Sequence, residues 1–303
     1  MTYTLTSLVI AFTINTACLA KSDDSFSHKR VHRQDTTTIA YLRAQVEDGL
    51  CHWKAGEYSQ AEQYFRKAAT HKYSWGQYNL ALCYFHGKGI SKDLVKAANL
   101  MRLASIQGNS EAQGALGSMY FYGMGVEKNY TEALTWYQLA AKAGNITAHT
   151  YLGYLYEAGL GVPKNYQIAY DWYQKAADEG CGDAMQCLGN LYEQGNGVEK
   201  NTNEALKWYR AAAEQSIPEA SYRAFRIYYY DRLDTVNSYT YLTRAAAQNH
   251  VAALYELAEA YYLGLLGCTI DKQKALQYYQ KAANSGSNLA SMALKVRTFP
   301  ESE

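Results

Sequence analysis

Three observations predict an all-α fold, a right-handed superhelix (solenoid) of stacked helix pairs. The chain superposes on itself when shifted by 36 residues. Within each copy the apolar positions recur at i, i+3, i+4 and i+7, the spacing of one helix face. Only 3 prolines occur among 303 residues, so long helices run without breakers.

The self-superposition places Leu80, Leu116, Leu152 and Leu188 in step, with Tyr84, Tyr120, Tyr156 and Tyr192 beside them. The pairs Gly87/Gly89, Gly123/Gly125, Gly159/Gly161 and Gly195/Gly197 keep the same step. So do Ala133, Ala169 and Ala205, and Trp136, Trp172 and Trp208. In the copy around residues 111–145, Ala112, Leu116 and Tyr120 line one helix face. Gly123 stops that helix, since glycine accepts the left-handed conformation a C-terminal cap needs. Ala133, Trp136, Tyr137 and Ala140 mark a second helix, whose tryptophan is expected to fill the groove to the next copy. A lone pair of this kind cannot bury both faces, so the copies must stack.

Seven pairs are counted, beginning near Ile39, Trp75, Glu111, Ala148, Asp183, Glu219 and Ala252. A last helix, Asn288 to Thr298, reads as a solvating cap. The solenoid thus spans 39–298, with a tail at 299–303. The first copy turns at Gly56-Glu57 without a glycine pair. The sixth has Phe225 where Gly117, Gly153 and Gly189 stand, and Asp231 to Asn237 replaces the glycine loop. The seventh, with Gly264 and Gly267, carries one extra loop residue.

Ahead of the repeats, Leu5 to Ala20 is apolar and nearly uncharged, the length of a signal-peptide core. Cleavage after Ala20 is expected, giving an exported, periplasmic or secreted protein; an uncleaved cytoplasmic chain is the alternative. Residues 21–38 read as a flexible spacer, and His28 and His32 within it as solvated. The mature chain is expected to have no membrane-spanning segment.

The quoted motifs resemble the Sel-one-like repeat (SLR) family, a relative of the tetratricopeptide repeat. They include Ala148-His149-Thr150-Tyr151-Leu152-Gly153, then Gly159-Leu160-Gly161-Val162, then Ala169-Tyr170-Asp171-Trp172-Tyr173. The resemblance covers about residues 39–298 and implies an adaptor or scaffold. Exported bacterial members of that family are linked to host-cell contact and vacuole trafficking. A cysteine-rich branch is associated with penicillin binding. It supplies the alternative reading, a cell-envelope binder or hydrolase acting on peptidoglycan or β-lactams.

The residues themselves argue against an enzyme. No His-Glu-x-x-His occurs for zinc, and no serine has lysine three residues later, as that penicillin chemistry needs. Gly87-Lys88-Gly89 follows a helix, not a strand, and reads as a helix stop. No cofactor or metal is expected. Cleavage after Ala20 would leave an odd number of cysteines, which opposes a full disulfide framework. Pairing of Cys181 with Cys187 stays open. Formal net charge is +1, with 29 basic and 28 acidic residues, so no nucleic-acid partner is expected.

A protein or peptide partner is expected instead, on the concave groove lined by first helices. The positions read as free there are Leu82, Ser118, Tyr154 and Asn190, then Phe85, Phe121, Glu157 and Glu193. Phe85, Phe121, Tyr122 and Tyr154 would form an aromatic strip, unless they pack between copies. In the sixth copy, Tyr222, Arg223, Arg226, Tyr229 and Tyr230 cluster off the core pattern. Tyr and Arg are enriched at binding hot spots.

Overall fold

The structure is a computed structural model that describes residues 36–299. The expected leader and residues 21–35 of the spacer lie outside the described residues, as do residues 300–303. All described elements are helical, and no strand occurs among the described residues. The chain divides into two units, one ending at Lys164 and one beginning at Asn165.

The first unit contains α1 (Thr36–Lys54), α2 (Tyr58–Thr70), α3 (Ser74–His86), α4 (Leu94–Ile106), α5 (Ser110–Tyr122), α6 (Tyr130–Lys142) and α7 (Ile146–Ala158). Helix α1 starts at Thr36, ahead of the Ile39 expected from the pattern. Each helix packs on the next in sequence, and α1 also touches α3, so the helix pairs stack. The second unit contains α8 (Tyr166–Asp178), α9 (Gly182–Gln194), α10 (Thr202–Glu214), α11 (Pro218–Arg226), α12 (Thr235–Ala247), α13 (Val251–Leu263), α14 (Lys272–Asn284) and α15 (Asn288–Val296). Here too each helix packs on its successor.

Polar caps fix where the helices begin. Asn109 and Asn145 accept the amides of Ala112 and Ala148, each at 2.9 Å. Asp93, Asn129, Asn165, Asn201, Asp234 and Asp271 cap the second helices in the same way. Such caps satisfy amides that the first helical turn leaves without partners. The amides of Asp93, Asn129 and Asn201 also reach back to the carbonyls of Tyr84, Tyr120 and Tyr192, closing each glycine loop on its own first helix.

The departures seen in sequence have local causes. In the sixth copy, α11 runs on as a π turn over Ile227–Asp231, where other copies place a glycine cap. The amide of Asp234 still reaches the carbonyl of Tyr228, so the shorter connection closes in the usual way. The rings filling the interior are tyrosines rather than tryptophans. Tyr137, Tyr173 and Tyr209 are fully buried, while Trp136, Trp172 and Trp208 are only partly so. The final helix also departs from a solvating cap. Leu289, Met292 and Val296 are 60%, 63% and 79% exposed, so its outer face carries three large apolar side chains beside the exposed Asn288 and Lys295. Arg297, just past its end, folds inward against Tyr279 and Glu259.

Candidate partner-binding face

From α3 onward the helix starts align the copies. The eighth residue of each second helix faces the seam with its own first helix. It is Met101 in α4, Tyr137 in α6, Tyr209 in α10, Leu242 in α12 and Tyr279 in α14, every one fully buried. A buried tyrosine hydroxyl needs a partner. The ninth residue of the first helix supplies it: Ser118 Oγ lies 2.9 Å from Tyr137 Oη, and Asn190 and Glu259 accept from Tyr209 and Tyr279, each at 2.8 Å. Where the second helix carries Met101, the ninth residue is the buried Leu82. These findings correct the expectation that Leu82, Ser118 and Asn190 are free to meet a partner.

The sixth copy breaks this rule. Its eighth first-helix residue is Phe225 where Gly117 and Gly189 stand, and Leu242 replaces the tyrosine opposite. A Cβ on Gly117 would lie 2.8 Å from the Tyr137 ring, and on Gly189 2.5 Å from that of Tyr209. Large and small have therefore changed sides: Phe225 fills the seam from α11, and Leu242 makes room. With no hydroxyl to satisfy, the ninth position is released, and Arg226 occupies it, exposed.

The expected site residues divide accordingly. In the first unit Phe121 is only 4% exposed, with the rings of Tyr122, Tyr130, Tyr151 and Tyr154 all within 5.8 Å. It is interior packing rather than an accessible anchor. Tyr122 and Tyr154 are partly exposed beside it, and the Tyr122 hydroxyl sits 3.3 Å from that of Tyr151. Phe85 is partly exposed, edge-on to His86.

In the second unit Arg223 is committed to structure. It binds Glu219 at 2.8 Å and Glu193 at 3.3 Å, and Glu193 also accepts from Tyr209 at 2.7 Å. His250, the N-cap of α13, accepts the Ala253 amide on Nδ1, so its proton sits on Nε2 and is donated to Glu219 at 2.9 Å. Burial pushes the Glu219 carboxyl up, but the hydrogen bonds from His250 and Arg223 outweigh it and hold its pKa at about 2. Tyr222 stacks on His250 at 4.6 Å and Tyr229 on Phe225 at 5.6 Å, leaving both partly buried. Tyr230 is 58% exposed, with the Arg226 guanidinium over its face at 6.0 Å.

Sequence reasoning missed Glu219, His250 and Glu256. The sixth residues of α11 and α13 are Arg223 and Glu256, and no other aligned first helix from α3 to α9 is charged there. That contrast was available as a signal.

Among the described residues, no group of three His, Cys, Asp or Glu side chains is placed to hold a metal ion. No described helix is long and apolar enough to cross a membrane. No disulfide joins Cys181 to Cys187.

Aligned helix pairs with shared seams define a class, the helix-pair repeat scaffold used as a protein-interaction module. The Sel1 repeat model matches seven times, over residues 44–73, 76–109, 110–145, 146–181, 182–217, 218–250 and 251–287, and the chain belongs to that family. A Sel1 repeat protein from Oxalobacter formigenes is 32% identical with a TM-score of 0.75, over 79% of this chain and 99% of that one. The protective antigen c5321 of uropathogenic Escherichia coli, which displays an SLR fold, is 29% identical with a TM-score of 0.67; the match covers 86% of this chain and 58% of that one. A 44-residue segment is 52% identical to the DAP3-binding cell death enhancer 1 of Rattus norvegicus, covering 14% of this chain and 9% of that protein.

Proposed function

We propose that this protein is a non-catalytic scaffold whose sixth repeat docks a protein or peptide segment on the first-helix face of the second unit. One observation carries the reading. Arg226 stands at the position that serves the tyrosine seam in neighbouring copies, yet it is exposed, with the exposed Tyr230 beside it. Exposed Arg and Tyr are the residue types enriched at binding hot spots, where they supply large contact area and directional hydrogen bonds. A photo-crosslinking residue in place of Tyr230 should capture a partner that the same residue in place of the exposed Val95 on α4 does not. Equal capture at both positions would reject the site.

We further propose that the protein acts after export, in contact with host cells. The apolar segment Leu5 to Ala20 supports this, as does the likeness to a protective antigen. Intact-mass measurement of the protein from its native host tests it. A chain that retains residues 1–20 would reject export by that route.

A further inference from the structure

The seam tyrosines of the fifth and seventh copies end in the same polar group, built from different parts of the chain. In the fifth, the Tyr209 hydroxyl donates to Glu193 at 2.7 Å, and Arg223, the sixth residue of α11, reaches Glu193 at 3.3 Å. In the seventh, the Tyr279 hydroxyl donates to Glu259 at 2.8 Å, but the sixth residue of α15 is Ala293. Arg297 takes the arginine's place instead. It stands just past the end of α15 on extended backbone, φ −97° and ψ 147°. It donates to Glu259 at 2.9 Å and to the Tyr279 hydroxyl. Its guanidinium lies over the rings of Tyr262 at 4.4 Å and Tyr279 at 5.3 Å. Two residues on, the Phe299 ring meets the same two tyrosines at 5.8 and 5.9 Å.

This segment is seated as a bound peptide would be. The Arg297 amide closes α15 on the Ala293 carbonyl at 3.0 Å. After that bond, among the described residues, the segment is held by two alternate side chains, with Thr298 exposed between them. Alternate side chains of an extended strand share one face. The repeats end at residue 287, so neither Arg297 nor Phe299 belongs to the copy whose seam they close. The receiving groups do belong to it. Glu259 and Tyr262 stand three residues apart on α13, hence on one helix face, and Tyr279 on α14 is fully buried. A carboxylate beside aromatic faces suits a guanidinium, which hydrogen-bonds at its edge and stacks on its plane.

We propose that Glu259, Tyr262 and Tyr279 form a recognition cleft in the seventh copy for an extended segment of a partner protein that carries arginine and, two residues on, an aromatic ring. The chain's own residues 297–299 fill the cleft until such a partner displaces them. Glu259 takes the guanidinium by a charge-assisted hydrogen bond, and Tyr262 takes its flat face. The aromatic ring packs edge-on against both tyrosines. The tethered segment competes at an effective concentration on the order of millimolar. A partner that offers the motif alone is therefore held off, and one with contacts beyond the motif gets in. Competition of this kind turns affinity into specificity.

The test uses the full chain. A fluorescently labelled peptide of residues 296–303 is titrated, by polarisation, against wild type, Phe299→Gly, and the double variant Arg297→Gly with Phe299→Gly. Thermal denaturation reports whether each is folded. The double variant should bind saturably, at least about tenfold more tightly than wild type, whose own segment competes. Phe299→Gly should fall between them. Changing the peptide's arginine to glutamine, or its phenylalanine to alanine, should each weaken binding about tenfold, the worth of one such contact. Tyr262→Ala added to the double variant should do the same. No binding to the emptied chain, or binding indifferent to both peptide changes, overturns the cleft. A double variant that unfolds leaves Phe299→Gly to decide: it must bind more tightly than wild type. Light scattering completes the test. A wild-type dimer that Phe299→Gly dissolves would make a second copy's segment the occupant and overturn the partner. The inference rests on the scaffold reading only in taking the occupant to be a protein segment. The crosslink at position 230 probes the sixth copy, so each can fail without the other.

Discussion

Ser118 Oγ and Tyr137 Oη lie 2.9 Å apart in the buried seam between α5 and α6. Gly117, one residue earlier, leaves the space that the Tyr137 ring occupies. Three side-chain choices thus form one unit of packing. In α3 and α4 the corresponding unit is Ala81, Leu82 and Met101, all buried and all apolar.

Replacing Ser118 with Ala strands the Tyr137 hydroxyl and should cost about 1–3 kcal/mol. Gly117→Ala puts a methyl against the ring and should cost about 1–3 kcal/mol. Making Gly117→Ala, Ser118→Leu and Tyr137→Met together rebuilds the α3/α4 seam, and most of the loss should return. Urea-denaturation midpoints of the three variants check this. A triple variant no more stable than Gly117→Ala alone would show that the seam is not a transferable unit.

That seam also explains what the sequence concealed. The helices were legible because each carries its own buried stripe at helical spacing, and each loop its own glycine stop. The role of the ninth residue was not, because its partner sits on another helix. Ser118 is polar and off the stripe, so it read as free; its reason is a hydroxyl 19 residues away. Arg223 and Arg226 are the same residue type one turn apart on one helix. Only Glu219 beside Arg223, and Glu193 on α9, make one a strut and leave the other exposed. The sixth repeat was visible as an exception, but the exchange of Phe225 for glycine and Leu242 for tyrosine needed the paired register of α11 and α12.

Glu219 and Glu256 should respond to pH in opposite senses. Glu219 is depressed in the folded chain from 4.5 to about 2, through His250 and Arg223 acting against burial. Its stabilisation is therefore full above pH 4.5 and is lost as pH falls toward 2. Glu219→Gln should cost about 1.5–3 kcal/mol at neutral pH, the range for hydrogen bonds to charged groups. The penalty should fade in acid. Glu256 is raised, by burial and then by Glu259, so its charge destabilises the fold at neutral pH. Glu256→Gln should raise the melting temperature at pH 7 and lose that advantage in acid. Melting curves across the acid range would contradict this if both variants moved the same way.

The cysteines should divide by reactivity. Cys83 is fully buried, and burial, followed by the charge of Glu62, pushes its thiol up to about 12. Almost no thiolate is present there at neutral pH, and thiolate is the reactive form. Cys51 is exposed on α1. Maleimide labelling of the native protein, read by peptide mass spectrometry, should modify Cys51 and spare Cys83 until denaturant is added. Native labelling of Cys83 as fast as Cys51 would mean that the α3 core opens readily.

The two glycines of each loop should differ in what they tolerate. Gly123 caps α5 at φ +74°, and a Cβ there would lie 3.1 Å from the Lys128 side chain. Asn accepts that left-handed backbone and the lysine can shift, so Gly123→Asn should cost about 1 kcal/mol or less. Gly125 also has a positive φ, +70°, but its Cβ would lie 2.0 Å from the Leu94 carbonyl oxygen at the start of α4. That neighbour is backbone of the preceding copy, and it cannot move without shifting a helix. Gly125→Asn should therefore cost more than Gly123→Asn by about 1–3 kcal/mol, the range for overpacking against a neighbour that cannot yield. The second glycine exists for the approach between copies, and the first for the turn. Denaturation of the two variants side by side decides it: equal losses would make both glycines simple turn residues and remove the loop from the stacking contact.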